Sequence, residues 1–153
     1  MRIMIALAAL AMVGGSAILM AQEPAGASVA EQALFAGVNR ARQAQGLPSL
    51  KWNEALAVAA RRHAGVMAQH GSAEHAYPGE PSLALRAKQA GVHFVYLAEN
   101  VIQGTSAAGT QEGFQKSAKH RANMLDLDMD SIGVGVVERG GQLFAVEDFS
   151  KAK

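Results

Sequence analysis

Five histidines, one carboxylate inside an apolar run and one serine near a histidine are the residues here that could do chemistry. An imidazole can exchange a proton near neutral pH, and its neutral nitrogens bind metal ions. His75 lies in residues 71–80, a glycine-bounded loop by composition, and loops often present functional side chains. His120 follows Ser117-Ala118-Lys119, at the end of an expected helix, where a cation would also be stabilised by the macrodipole. Glu99 interrupts Tyr96-Leu97-Ala98-Glu99-Asn100-Val101; a carboxylate there must be paired, hydrogen-bonded, facing a cavity or at a wet edge. The other histidines promise less. His63 falls on the apolar stripe of a helix, the place of a satisfied core histidine, and His93 has no evident partner. His63 and His70 would be about 10 Å apart along a helix, too far for a zinc-binding pair. Ser117 and His120 form a helix-spaced pair without a third, orienting group, which is weak support for a nucleophile.

Asp126, Asp128 and Asp130 alternate like the first ligands of a calcium loop. The glycine and the bidentate glutamate that such a loop needs are replaced by Ser131 and Val137, so a solvated acidic lead-in to a strand is the better account.

The elements that must position these residues follow from periodicity. Ala30, Ala33, Leu34, Val38 and Ala41 make a helical stripe that ends near Gln45, with Gly46 and Pro48 beyond. Asn53 can cap a second helix carrying Leu56, Ala60, His63 and Met67, ending at Gly71. Trp52, just before that cap, can pack back on the first turn. Pro81 suits the first position of a short third helix running to Gly91. Residues 93–103 read as a strand and residues 107–119 as a fourth helix. Ile132–Val137 and Leu143–Val146 flank Gly140-Gly141 as a hairpin. Gly133 and Gly135 share one face of its first strand, which marks a close approach by another element or a ligand. Helices with a mostly antiparallel sheet make an α+β layered domain.

Composition narrows the function. The 153 residues carry 14 Lys plus Arg, 13 Asp plus Glu and no cysteine. Net charge of +1 and 5% aromatics give no basic stripe and few stacking platforms, so a nucleic-acid partner is not expected. Without cysteine there is no disulfide framework, thiolate zinc site or cysteine nucleophile. No GxxxxGK[ST], GxGxxG, HExxH or GxSxG string is present. Met1-Arg2, an uncharged apolar run from Ile3 to Ala21 and the small-residue exit Ala25-Gly26-Ala27 have the parts of a secretory signal peptide. Residues 1–27 are therefore expected to be a leader cleaved after Ala27, with Ala21 as the alternative point and an uncleaved anchor as the competing reading. Residues 28–153 form one domain, expected to be secreted or periplasmic, monomeric, and without membrane contact beyond the leader.

Taken in order, several strings resemble the CAP superfamily of cysteine-rich secretory proteins, antigen five and pathogenesis-related group one proteins, in its cysteine-free bacterial branch. They are Val38-Asn39-Arg40-Ala41-Arg42 with Gly46-Leu47-Pro48-Ser49-Leu50; Trp52-Asn53-Glu54-Ala55-Leu56 with His63-Ala64; His75; Arg86 with Ala90-Gly91; Glu99-Asn100-Val101; Ser117 to Leu125; and Ile132-Gly133-Val134-Gly135. The resemblance implies an α–β–α sandwich with a shallow cavity lined by two histidines and two acidic residues. His75, Glu99 and His120 match three of the four. Ser117 stands where the fourth, a glutamate, would be, and Phe114 where a tryptophan would precede it. Glu112 would lie about 140° around the helix from Ser117 and cannot substitute. Glu147 and Asp148 are further carboxylates on the last strand, and Asn100, Arg121 and Asn123 are expected to support the site and the turn after the fourth helix.

One carboxylate with two imidazoles cannot divide acid and base roles as two carboxylates can. His75 and His120 could hold zinc or another divalent cation, and Glu99 as base would then suggest a metal-dependent hydrolase. The incomplete tetrad and missing nucleophile favour a binding module for a small ligand, lipid, metal ion or envelope protein partner, with no cofactor required. A purely structural triad and a protein-binding surface elsewhere remain open alternatives.

Overall fold

The computed structural model describes residues 24–153. The leader expected at residues 1–27 falls mainly outside that range. Among the described residues, no helix is long and apolar enough to cross a membrane.

The first helix, α1 (Val29–Ala44), begins with a reciprocal cap. The Ser28 hydroxyl accepts from the Glu31 N–H at 3.2 Å, and the Glu31 carboxylate accepts from the Ser28 N–H at 2.9 Å. Leu34, Phe35 and Val38 form its buried face. A two-residue strand, β1 (Lys51–Trp52), follows and pairs in parallel with a later strand. It is too short to show an alternating pattern, and the sequence reading does not contain it. Trp52 meets Phe35 edge-on at 5.5 Å, and its indole N–H donates to Glu54. Helix α2 (Glu54–His70) is capped by Asn53, as expected, and ends at Gly71 with φ +68°.

Two boundaries differ from the sequence reading. Pro81 does not open the third helix: Ser82 caps α3 (Leu83–Gln89) and leaves Pro81 outside it. The single helix expected over 107–119 is broken at Ser117 into α4 (Ala107–Lys116) and α5 (Ala118–Met124). Ser117 is extended (φ −78°, ψ 119°), and its hydroxyl accepts from the His120 N–H at 3.4 Å. A serine that caps a new helix competes with continuing the old one.

Between them lies β2 (Phe94–Gly104), and the chain closes with the hairpin β3 (Ser131–Arg139) and β4 (Gln142–Ala152). Gly140 and Gly141 have φ +60° and +74°, which a two-residue primed turn requires. The sheet order is β1-β3-β4-β2, with β4 antiparallel to both neighbours and β2 at an edge. Helices α2 and α3 cover one face; α1, α4 and α5 cover the other. The result is the α–β–α sandwich expected.

Gly133 and Gly135 explain how closely α2 sits on the sheet. A Cβ on Gly133 would lie 2.2 Å from the Ala57 backbone nitrogen, and one on Gly135 2.2 Å from that of Arg61. The obstacle is helix backbone, which cannot rotate away, so the close approach inferred from sequence is an approach by α2. We predict that Gly133→Ala destabilises the domain by about 1–3 kcal/mol, the usual range for overpacking. The denaturant midpoint reads this, and a change under about 0.5 kcal/mol, typical of an ordinary surface site, would contradict it.

Candidate functional site

The two faces of the sheet present different polar groups, because neighbouring residues on a strand point oppositely. Glu99 and Asp148 sit opposite each other on β2 and β4 and face α2 and α3. Asn100 and Glu147 form the next pair and face α4 and α5.

Glu99 is buried, although β2 is an edge strand. Its Oε2 accepts from Nη2 of Arg86, itself buried on α3, and its Oε1 lies 3.0 Å from Nδ1 of His75. Arg86 also donates to the Pro81 carbonyl at 3.0 Å, tying the loop that carries His75 to α3. His63 holds the same loop from α2. Its Nδ1 is 2.6 Å from Glu80 Oε1, and its Nε2 is 2.9 Å from the Glu74 carbonyl oxygen. A carbonyl only accepts, so Nε2 carries the hydrogen. His63 is thus a satisfied core histidine, as its position on the stripe suggests. Tyr77 adds a further tie by donating to the Ser72 carbonyl at 2.7 Å and stacking on His70 at 4.1 Å.

The His75 side chain is 64% exposed above this buried network. His120 stands nearby in the first turn of α5, where the macrodipole opposes a cation; it is not the C-terminal histidine expected. Its ring meets Phe114 edge-on at 5.3 Å, and its Nδ1 is buried without a hydrogen-bond partner. Burial, and then the neighbouring His75, hold its pKa below the usual histidine value. Ser117 touches the His120 backbone and serves as a cap. Glu112 is exposed and pairs with Lys116, away from the site, consistent with its expected position.

On the other face, Asn100 donates to the His120 carbonyl at 3.1 Å and to Glu147 at 3.0 Å. Asn123 donates to the Asn100 side-chain oxygen at 2.9 Å and to the Glu99 carbonyl at 3.3 Å. These two amides hold α5 against β2. Arg121 does not support the turn after the helices, as expected of it: it is exposed, and Arg42 does that work from α1. The buried Arg42 donates to the carbonyls of Pro48, Met124 and Asp126 at 2.8, 2.9 and 2.8 Å. Glu31 has a similar tying role, accepting from Arg61 at 2.8 and 3.0 Å and from the Val136 N–H at 3.2 Å.

Glu147 and Asp148 are both fully buried. Burial pushes Glu147 up to about 8, against the opposing hydrogen bond from Asn100. Burial first, and then the Glu99 carboxylate, raise Asp148 well above the usual carboxylate range, with Arg86 opposing. Glu147 is therefore held protonated in mildly acidic solution, and the carboxyl of Asp148 is pushed the same way. Among the described residues, no three of His, Asp or Glu stand where they could jointly hold a metal ion, and Glu99 is already committed to Arg86. His75 and His120 alone fall short of the three protein ligands of a catalytic zinc site.

The burial of Glu147 makes stability depend on pH. Its folded pKa is raised, so the native state binds the extra proton, and stability falls as pH rises from about 4.5 towards about 8. Glu147→Gln should flatten this part of the stability–pH curve, measured by urea unfolding between pH 5 and 8, to a slope shallower than wild type. An unchanged slope would contradict the assignment.

The family model described as "Cysteine-rich secretory protein family" (CAP) matches residues 35–149. The uncharacterized protein YkwD of Bacillus subtilis is 30% identical over 118 residues, covering 76% of this chain and 46% of that protein. A crystal structure of an extracellular protein containing an SCP domain from Bacillus anthracis superposes with TM-score 0.74 at 26% identity, covering 80% of this chain and 40% of the other. An outer surface protein from Borrelia burgdorferi gives TM-score 0.74 at 18% identity, covering 81% of this chain and 93% of the other. The chain thus spans less than half the length of the two Bacillus proteins.

Proposed function

Because the chain belongs to the cysteine-rich secretory protein (CAP) family, we propose that it is an exported, non-catalytic CAP module that binds a small ligand or an envelope partner around His75. The observation that carries this reading is the state of Glu99. Both its oxygens are engaged, one by the buried Arg86 and one by His75. A general base needs a lone pair within reach of a substrate proton, and the remaining lone pairs of Glu99 lie on a side chain only 4% exposed beneath His75. Glu99 instead orients His75 and leaves the outer part of that exposed imidazole free to contact a ligand. His120, held towards its neutral form, supplies a second contact beside it. The Ser117 hydroxyl accepts from the His120 backbone N–H and is paired with no imidazole that could activate it, which further supports a non-catalytic reading.

Export is supported by the leader-like composition of residues 1–27 and by the names of the structural neighbours, one an extracellular protein and one an outer surface protein.

The purified protein should hydrolyse peptide and ester model substrates, with or without added zinc, no faster than its His75→Ala/His120→Ala variant. Hydrolysis that requires zinc and is lost in the double variant would overturn the binding-module reading and restore the hydrolase.

A further inference from the structure

Away from His75, on the sheet face that carries α5, a depression of about 380 Å³ is lined by Val95, Tyr96, Asp126, Asp128 and Lys151. Tyr96 and Lys151 are cross-strand partners on β2 and β4, so the sheet supplies its floor. The segment leaving α5 supplies an acidic wall. Val95 is 67% exposed, Tyr96 52% and the adjacent Leu127 74%. Among the described residues, the only other large apolar side chains so exposed are Val29 and Leu85, which do not line this depression. An apolar and aromatic patch beside charged groups has the make-up of an interaction surface.

Charge says what fits there. Lys151 is drawn off by Asp130, 3.5 Å away. Asp126 Oδ1 accepts from the Asp128 N–H at 2.8 Å, which fixes the turn and leaves the second oxygen of Asp126 free of that bond. Arg42 approaches from the core, but its guanidinium donates to backbone carbonyls, that of Asp126 included. Among the described residues, neither Asp126 nor Asp128 has a cationic side chain within ion-pair distance. Arg42 still attracts Asp126 electrostatically from the core, so the wall is a partly compensated Asp126 beside an unpaired Asp128, and both line the depression with the half-exposed Tyr96.

We propose that this depression docks an arginine side chain presented by a partner polypeptide. The aliphatic stem covers Val95, the planar guanidinium lies over Tyr96, and its forked N–H groups reach the Asp126 and Asp128 carboxylates. Arginine suits the place better than lysine because a flat, delocalised cation can stack on an aromatic face and bond carboxylates together. The surface is separate from the His75 site, since Glu99 and Asp148 face the opposite side of the sheet.

The test is an NMR titration of the full-length protein with the pentapeptide acetyl-Ser-Val-Arg-Val-Ser-amide, alongside the same peptide with neutral citrulline replacing arginine. Shift changes should centre on residues 95–96, 126–128 and 151, and the citrulline peptide should bind at least about tenfold more weakly. Asp126→Asn/Asp128→Asn should weaken the arginine peptide by about tenfold or more, and Tyr96→Ala by about fivefold. Tyr96 and Asp128 are exposed, and Asn at the half-buried Asp126 keeps an oxygen to accept from the Asp128 N–H, so thermal unfolding should confirm that the variants fold. Equal binding of both peptides, shifts centred elsewhere, or indifference to the aspartate substitutions would overturn the proposal. So would self-association of the protein that Tyr96→Ala abolishes, since a second copy would then be the occupant.

Discussion

A carboxyl group buried in the face of a sheet must either keep its proton, as Glu147 does, or be paired with a cation, as Arg86 pairs Glu99. The rest of the site is arranged around that pair. The guanidinium reaches β2 from α3, and in doing so it also binds the loop between α2 and α3 through the Pro81 carbonyl. His63 braces the same loop from α2 through Glu80 and the Glu74 carbonyl. His75 can be both exposed and oriented because the loop beneath it is held at several buried points. Removing one member of such a buried pair is costly because it leaves the other charge stranded.

The second constraint is steric. Two glycines on β3 let the α2 backbone rest directly on the sheet, which places His63 deep enough to meet Glu80. On the opposite face the ties are amides and carbonyls. Asn100 and Asn123 lock α5 to β2, and Arg42 gathers three carbonyls from two loops. The two faces thus serve different ends. One builds a loop-presenting support from ion pairs; the other fastens helices through side-chain amides and the Arg42 guanidinium around an apolar core containing Leu34, Phe114 and Phe149.

Much of the fold was legible because its signals are local. The stripes of α1 and α2, the Asn53 cap, the Gly140-Gly141 turn and the glycine alternation of β3 are all written within a few residues. What escaped is not local. Strand β1 exists only because β3 pairs with it, and the break at Ser117 depends on α5 docking against β2. Glu99 could be seen to need a partner, but which cation supplies it is decided by how α3 packs. In sequence, Arg86 therefore stands in a family string without a role, and nothing local singles out Arg42 over Arg121 as the support of the turn after the helices. Glu147 and Asp148 were seen only as spare carboxylates, because alternation shows that they face opposite sides but not that both sides are covered.

The arrangement of the site rests on Glu99 being ion-paired to Arg86. A double-mutant cycle on stability, using Arg86→Met and Glu99→Gln, tests it most directly. If the pair exists as described, each single substitution strands a buried charge, and the double variant should recover about 2 kcal/mol or more relative to the sum of the singles. Effects that add to within about 0.5 kcal/mol would show that the two residues do not interact and would contradict the account.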